Sequence, residues 1–439
     1  MSGSGSTETS AGLTTAPTPE PDGDERPASR ATDVIWFLLR NGVLPWVALV
    51  VAALCAGVLA MRGAPWRADL LWIIDWIPIG HIAIAPVVAG GAAIDTARLG
   101  AAVRHTESAR WSRSAGTAVA LGYAAVVAGV YAAAVAAAVL VEIPPSFDPR
   151  ALLAIAVQLL MLALFAAVGT VVGRVLGPVL AGIVGALVSL LAIYIAAART
   201  EHVALLYAGA SLVSRVGRSY DVPYLAAQGG LLLVLIIAFL MWRPNVVRGR
   251  WRRTGERAVV PVAVGLVVLA GALGPSSRLT YTGVPPTLCS DVDGVRICLY
   301  PEHARLQEEV GETLGRVFVA ARAAGYGALV PDEVREAPVT GVTSWRGASL
   351  TLDEPLGGAP VDVRFLIQEL VEPLHCEQLR GPEPPSDRYS QDLSNVMGTW
   401  LELVDPELTE RWGWPYQVLD PPELARVLTE FRTCEYQFR

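Results

Sequence analysis

The chain has 439 residues, 53% hydrophobic and only 17% charged, a balance that excludes an ordinary water-soluble globule and points to the membrane class. Its formal net charge of -7 averages two opposite parts, because residues 276–439 hold 26 acids against 14 arginines while the preceding part is net basic. All 34 basic residues are arginine; without lysine, neither a Walker A loop nor Schiff-base chemistry can reside here, and any ATP hydrolysis belongs to a partner.

Residues 1–31 are rich in Ser, Thr, Gly, Pro and acids, a mixture that buries too little apolar surface to offset ordering entropy, so a disordered cytoplasmic tail is expected. The tail lacks the basic start and prompt apolar core of a signal peptide, and no cleavage is expected. From Thr32, a candidate N-cap, the run TDVIWFLLRN reads as an interfacial helix. Seven apolar stretches follow, at about 43–61, 70–94, 116–141, 151–173, 176–198, 222–242 and 258–274. Each is near the 20 residues that cross about 30 Å of hydrocarbon, and the last, which contains Pro261, is the shortest. With the N-terminus inside, the cytoplasmic segments collect Arg26, Arg30, Arg40, Arg98, Arg104, Arg110, Arg113, Arg174 and the six arginines of RPNVVRGRWRRTGER. The opposite loops hold only Arg62, Arg67, Arg150, Arg199, Arg215 and Arg218. Basic residues resist translocation, so the asymmetry predicts a multi-pass cell-membrane protein with a cytoplasmic N-terminus and, after seven crossings, an extracytoplasmic C-terminal domain.

Within the second stretch, Asp75 and His81 form a candidate intramembrane polar site, since ionisable groups in hydrocarbon are costly. Pro78 and Gly80 can break the helix there and offer both groups water or backbone partners, so structural anchoring is the favoured role. The glycines of VAGGAA, AGIVGAL and QGG read as close helix packing. The cluster RGRWRR suits anionic lipid head groups or a partner protein; a short loop pinned at the bilayer is no place for nucleic acid.

Residues 276–439 read as a small α+β domain. In TLCSDVDGVRICLY, Asp293-Gly294 between alternating β-branched residues predicts a two-residue hairpin turn. That register sets Val292 opposite Val295, Asp291 opposite Arg296 and Cys289 opposite Cys298, the last at a non-hydrogen-bonded pair close enough for a disulfide. Cys376 and Cys434 remain in the domain; of the three connectivities, Cys289–Cys298 with Cys376–Cys434 is preferred, which agrees with an oxidising compartment. The alternative is free buried thiols in a cytosolic domain. Cys55 lies in the first stretch as a small apolar filler. Pro301 opens a helix carrying Leu306, Val310, Leu314 and Val317 up to Gly325, and further helices are expected over 361–376, 387–404 and 421–434, with short strands near 338–352.

Catalytic motifs are absent from this domain. His303 and His375 lie far apart, unlike H-E-x-x-H, and Glu369 and His375 do not share a helical face, so a surface or helix-terminus role is expected for both histidines. No G-x-S-x-G elbow occurs, and Cys376 beside His375 suits a disulfide better than a thiol nucleophile. No metal, cofactor or enzymatic activity is implied.

The order of parts resembles permease subunits of type-2 ATP-binding-cassette exporters, especially divergent permease-like membrane proteins of GC-rich bacteria. The resemblance rests on ATDVIWFLLRN, PVVAGGAAIDTARLG, RLGAAVRHTESARWSRSAG and AAVGTVVGRVLGPVLAGIVGAL, and covers about residues 32–242. It implies that residues 32–40 and the loop with Arg98, Arg104, Arg110 and Arg113 dock a separate ATPase, that residues 201–218 form a partly inserted external helix, and that a homodimer or paired permease lines the path. The seventh stretch and large external domain depart from that family. The alternative is a non-transporting membrane anchor or sensor whose acidic domain binds a surface ligand or protein; an intramembrane enzyme has only Asp75 and His81 to offer.

Overall fold

The computed structural model describes residues 31–104, 109–198, 204–242, 246–247, 250–251, 265, 277–339, 347–352, 362–371, 387–407 and 415–433. Among these, six helices are long and apolar enough to cross a membrane: Leu44–Gly63, Leu70–Gly100, Ala115–Val141, Arg150–Val175, Pro178–Ala198 and Val222–Met241. They coincide with the first six expected stretches, and the chain has the build of a membrane protein. The expected seventh stretch, 258–274, lies outside the described residues apart from the helical Gly265. The entry segment is the helix Ala31–Asn41, so Thr32 sits inside its first turn instead of capping it.

The second apolar helix is the most enclosed of the six, with 67% of its most apolar window buried. It is not continuous. Asp69 caps the helix Leu70–Trp76 by accepting from the Trp72 N–H at 3.0 Å, a 3-10 turn follows at Ile77–Gly80 with Pro78 in its first turn, and the helix restarts at His81–Arg104. Proline lacks the N–H that would continue the α-helical ladder, which accounts for the break.

Small residues set the helix spacing. A β-carbon on Gly169 would lie 2.2 Å from the Ala89 carbonyl oxygen, and one on Gly173 would lie 2.3 Å from that of Ala93. The backbones of the second and fourth apolar helices therefore touch over a full turn, as small-x-x-x-small pairs permit. Gly90 and Gly185 bring the second and fifth helices almost as close, which fits the packing expected of VAGGAA and AGIVGAL. Gly230 of QGG faces open space.

The two ends of the bundle are fastened differently. At one end, Asp95 is 3% exposed and accepts from the Val43 N–H at 3.1 and 3.0 Å and from the Tyr123 hydroxyl at 2.7 Å, tying the turn after the entry helix to the second and third apolar helices. Close by, the Arg174 guanidinium donates to the Trp242 carbonyl at 2.5 Å, joining the ends of the fourth and sixth helices. The C-terminal domain sits at the opposite end.

That domain is built on a four-stranded sheet in the order Leu288–Val292, Val295–Leu299, Glu333–Glu336, Ala348–Leu350; the first pair is antiparallel and the other two are parallel. The hairpin register is the expected one, with Asp293 and Gly294 at φ 49° and 78° and Cys289 disulfide-bonded to Cys298. Cys376 and Cys434 lie outside the described residues. Strand was expected near 338–352; it is found at Ala348–Leu350, while its neighbour lies upstream at Glu333–Glu336, where charges on one face mask the alternation of buried Val334 and Glu336. Helices Gln307–Ala323, Val363–Val371, Asp387–Val404 and Pro421–Thr433 close a second core around Ile297, Leu314, Phe318, Leu366, Trp400 and Phe431.

The Gly169 contact leaves no room for a methyl group, so Gly169→Ala is expected to lower the thermal midpoint of the detergent-solubilised protein, at an overpacking cost of about 1–3 kcal/mol. Gly230→Ala, measured in the same melts, should leave the midpoint unchanged or slightly raised; equal midpoints for both variants would contradict the close approach.

Candidate functional site

Where the C-terminal domain meets the helices, a group of charged side chains is buried. Asp75 has no solvent exposure. Its Oδ1 accepts from the Arg278 guanidinium at 2.7 Å and from the Tyr220 hydroxyl at 3.0 Å, while Oδ2 lies 3.4 Å from the Arg215 Nε. The Arg278 guanidinium also stacks over the Tyr220 ring, 5.2 Å from its centroid. A lone carboxylate among apolar helices is tolerated only when paired and hydrogen-bonded, and the partners come from 140 and 203 positions away in sequence. The expected water or backbone partners for the Asp75 carboxylate are thus corrected to two arginines and a tyrosine, because the loop bearing Arg215 and Tyr220 folds over the broken second helix. Backbone bonding does occur at this residue: the Ser211 N–H donates to the Asp75 carbonyl at 2.8 Å.

The same loop is locked from several directions. Asp69, 2% exposed, accepts from the Ser214 hydroxyl at 3.1 Å and the Arg215 N–H at 2.9 Å in addition to capping its own helix. Gln158 of the fourth apolar helix donates to the Ile74 carbonyl at 2.9 Å and accepts from the Tyr131 hydroxyl at 2.8 Å. Leu205, 2% exposed, packs into the main helical core, and the described part of the segment forms a short 3-10 turn at Ala204–Leu206 rather than the longer helix expected.

Strand pairing carries the chain from bundle to domain. Arg218–Tyr220 pairs antiparallel with Leu279–Tyr281, in register Tyr220 with Leu279, so Arg278 is delivered to Asp75 by a two-stranded clamp. The boundary drawn at 276 from composition falls just ahead of that strand. Beyond it, Arg305 donates to the Arg67 and Pro65 carbonyls at 2.6 and 3.0 Å, Ser146 donates to Glu302 at 2.7 Å, and Arg218 donates to the Val339 carbonyl. These last contacts use the loops after the first, third and fifth apolar helices.

His303 stands beside this interface and is 1% exposed, with Nδ1 2.5 Å from the Glu336 carboxylate. The surface role expected of this histidine is corrected: it lies buried in the turn Pro301–Leu306 that leads into the helix Gln307–Ala323, and Glu336 of the strand Glu333–Glu336 meets it there. Burial by itself pushes the imidazole down, but the bonded Glu336 carboxylate, with Asp69 adding to it, outweighs burial and holds the group above its ordinary 6.5. His375 is outside the described residues.

No hydrogen bond joins Asp75 and His81. His81 is 3% exposed, faces the Tyr131 ring at 5.6 Å between centroids, and has no hydrogen-bond partner on either ring nitrogen. At the far end of the bundle, Arg98 is exposed, and Arg104, Arg110 and Arg113 lie in the helical segments His81–Arg104 and Ala109–Val141. No group of three or more metal-binding side chains occurs among the described residues. Comparison with protein-family models, curated proteins and solved structures returns no match to any of the three.

The residues that sequence reasoning missed are Arg278, Arg215, Tyr220, Gln158 and the Glu336 partner of His303. A buried carboxylate demands a cation, which signals that a partner exists; only the fold says which of many arginines it is.

Two outcomes follow. Arg278→Met leaves Asp75 short of its closest cation and should cost about 3–5 kcal/mol of stability, read as a fall in thermal midpoint, while the double variant with Asp75→Asn recovers most of it. A midpoint as insensitive to Arg278→Met as to the surface change Arg388→Met would refute the anchoring role. The raised His303 group contributes stability that is complete below pH 6.5 and is lost as pH rises through the folded-state value. Melts across that range should show the midpoint falling with alkalinity, and His303→Gln should flatten that slope.

Proposed function

We propose that the chain is a permease-like membrane subunit of an ATP-binding-cassette transport system, working with a separate ATPase and as a homodimer or with a paired permease. The observation that carries this reading is the second apolar helix, which is fastened at both ends. Asp95 binds the turn after the entry helix, and Asp75 binds the external domain through Arg278. A push on the entry helix therefore travels along one buried element to the opposite end.

The entry helix suits an ATPase contact. Leu38 is buried against the bundle, whereas Trp36 and Phe37 are 66% and 49% exposed and Arg40 and Arg98 are exposed as well. An exposed aromatic and arginine surface is the composition of a protein interface. In this reading the end bearing Arg98, Arg104, Arg110 and Arg113 is cytoplasmic. Trp242 lies at that end beside Arg174 and Ser277 lies at the other beside Leu279, and in this reading the domain is extracytoplasmic. The disulfide Cys289–Cys298 supports that placement.

A second reading, the non-transporting anchor or sensor, draws on one feature of the external domain. A groove of about 1210 Å³ between the hairpin and the helix Gln307–Ala323 is lined by Asp291, Asp293, Glu308 and Glu312 together with Arg316, a net acidic surface suited to a basic ligand.

Affinity capture of the full chain in mild detergent separates the two. Wild type should recover an ATPase, and changing Arg98, Arg104, Arg110 and Arg113 together to alanine should cut recovery at least about tenfold, the scale of a 1.4 kcal/mol loss, with an unchanged gel-filtration profile. Repeated capture without an ATPase removes the transport reading. An impermeant thiol label should reach Val284→Cys in intact cells; labelling only after lysis would reverse the orientation.

A further inference from the structure

A cavity of about 500 Å³ lies beside the buried charges, between the second, fourth and fifth apolar helices and the inserted loop 206–212. Met161 and Phe165 form its floor from the fourth helix, and Ala197 of the fifth helix and Leu212 of the loop face them. The size falls within the range of small-molecule sites, roughly 300–1,000 Å³. Its wall is largely apolar, and the polar side chains among its described lining residues are those of His81, Tyr207 and Ser211.

The polar neighbours of His81 are already occupied. The Tyr131 hydroxyl donates to Gln158, the Tyr207 hydroxyl to the Ala210 carbonyl at 2.9 Å, and the Ser211 hydroxyl to the Val213 carbonyl at 3.0 Å. Among the described lining residues only His81 holds buried side-chain nitrogens without a partner. A neutral imidazole offers one donor and one acceptor, and leaving both unmet in a low-dielectric wall costs more than most packing gains return. The arrangement matches ligand pockets in which an apolar lining carries a few placed polar groups.

The rim shows where an occupant comes from. Ile82, adjacent to His81, is 54% exposed and Leu212 is 41% exposed, so the mouth opens on the apolar flank of the helices, toward lipid. No charged side chain lines the cavity, and a charged head group would be stripped of water without a counter-ion. We infer that this cavity binds a neutral, membrane-borne molecule with an apolar body and a single hydroxyl, of the chemical class of a long-chain alcohol, whose hydroxyl pairs with His81. The inference stands whether or not the chain transports anything, because it concerns occupancy of a wall that both readings of the protein share.

The test uses the full chain in lipid nanodiscs and a diazirine-bearing hexadecanol as photolabel, with hexadecanol, hexadecane and palmitate as competitors. Labelling should saturate, map to peptides containing Met161 and Phe165 or residues 206–212, and be displaced by hexadecanol about tenfold better than by hexadecane, the scale of one buried hydrogen bond. His81→Phe should erase that preference and His81→Gln should keep it. Ala197→Trp, placed on the exposed rim where folding is not at stake, should abolish labelling. Non-saturable labelling, labelling undiminished by Ala197→Trp, an alcohol preference that survives His81→Phe, or palmitate competing better than hexadecanol would each overturn the inference.

Discussion

A carboxylate taken out of water into a bundle of apolar helices has to find a cation, and that demand organises the junction between the two halves of this protein. Asp75 is met by Arg278 and Arg215, and the loop bearing Arg215 must fold inward and the chain after residue 276 must return to the same end for this to happen. Such a pair adds little net stability, because desolvation offsets most of the Coulomb attraction. Its value is registry. An unpaired Asp75 is so unfavourable that alternative seatings of the domain are excluded, and the strand pairing of Arg218–Tyr220 with Leu279–Tyr281 then sets the arginine at bonding distance.

The second apolar helix is the element through which this constraint acts. It is the most enclosed, it touches the fourth helix backbone to backbone through Gly169 and Gly173, and its break at Pro78 releases backbone groups near the point where Asp75 is neutralised. At its other end Asp95 takes up the Val43 N–H, a backbone donor that a helix start leaves without an intrahelical partner. Two buried acids thus hold one helix at its two ends, one to the entry helix and the other to the C-terminal domain. His81 differs from both in having no partner, which is why it draws attention to the cavity beside it.

The hairpin shows how far local chemistry reaches. Asp293-Gly294 needs positive φ at both positions, and once that turn is fixed, every pairing out to Cys289–Cys298 follows from the two-residue period of a strand. Nothing comparable announces Glu333–Glu336, whose glutamates and arginine read as a solvated segment; Glu336 is buried only because it answers His303 and the Tyr300 N–H. The histidine looked like a surface group for the same reason, since its partner lies 33 positions away.

The sequence by itself determined six apolar helices, their approximate limits, the entry helix, the hairpin with its disulfide and the mixed character of the C-terminal domain. These follow from hydrophobic length, from period and from turn stereochemistry, which act between near neighbours in the chain. Only the tertiary structure decided which arginines neutralise Asp75, which carboxylate meets His303, and which end of the bundle the domain caps. Pairings between residues 33 to 203 positions apart have no periodic signature; they are selected by the cost of leaving a buried charge alone, and that cost exists only once the chain has folded around it.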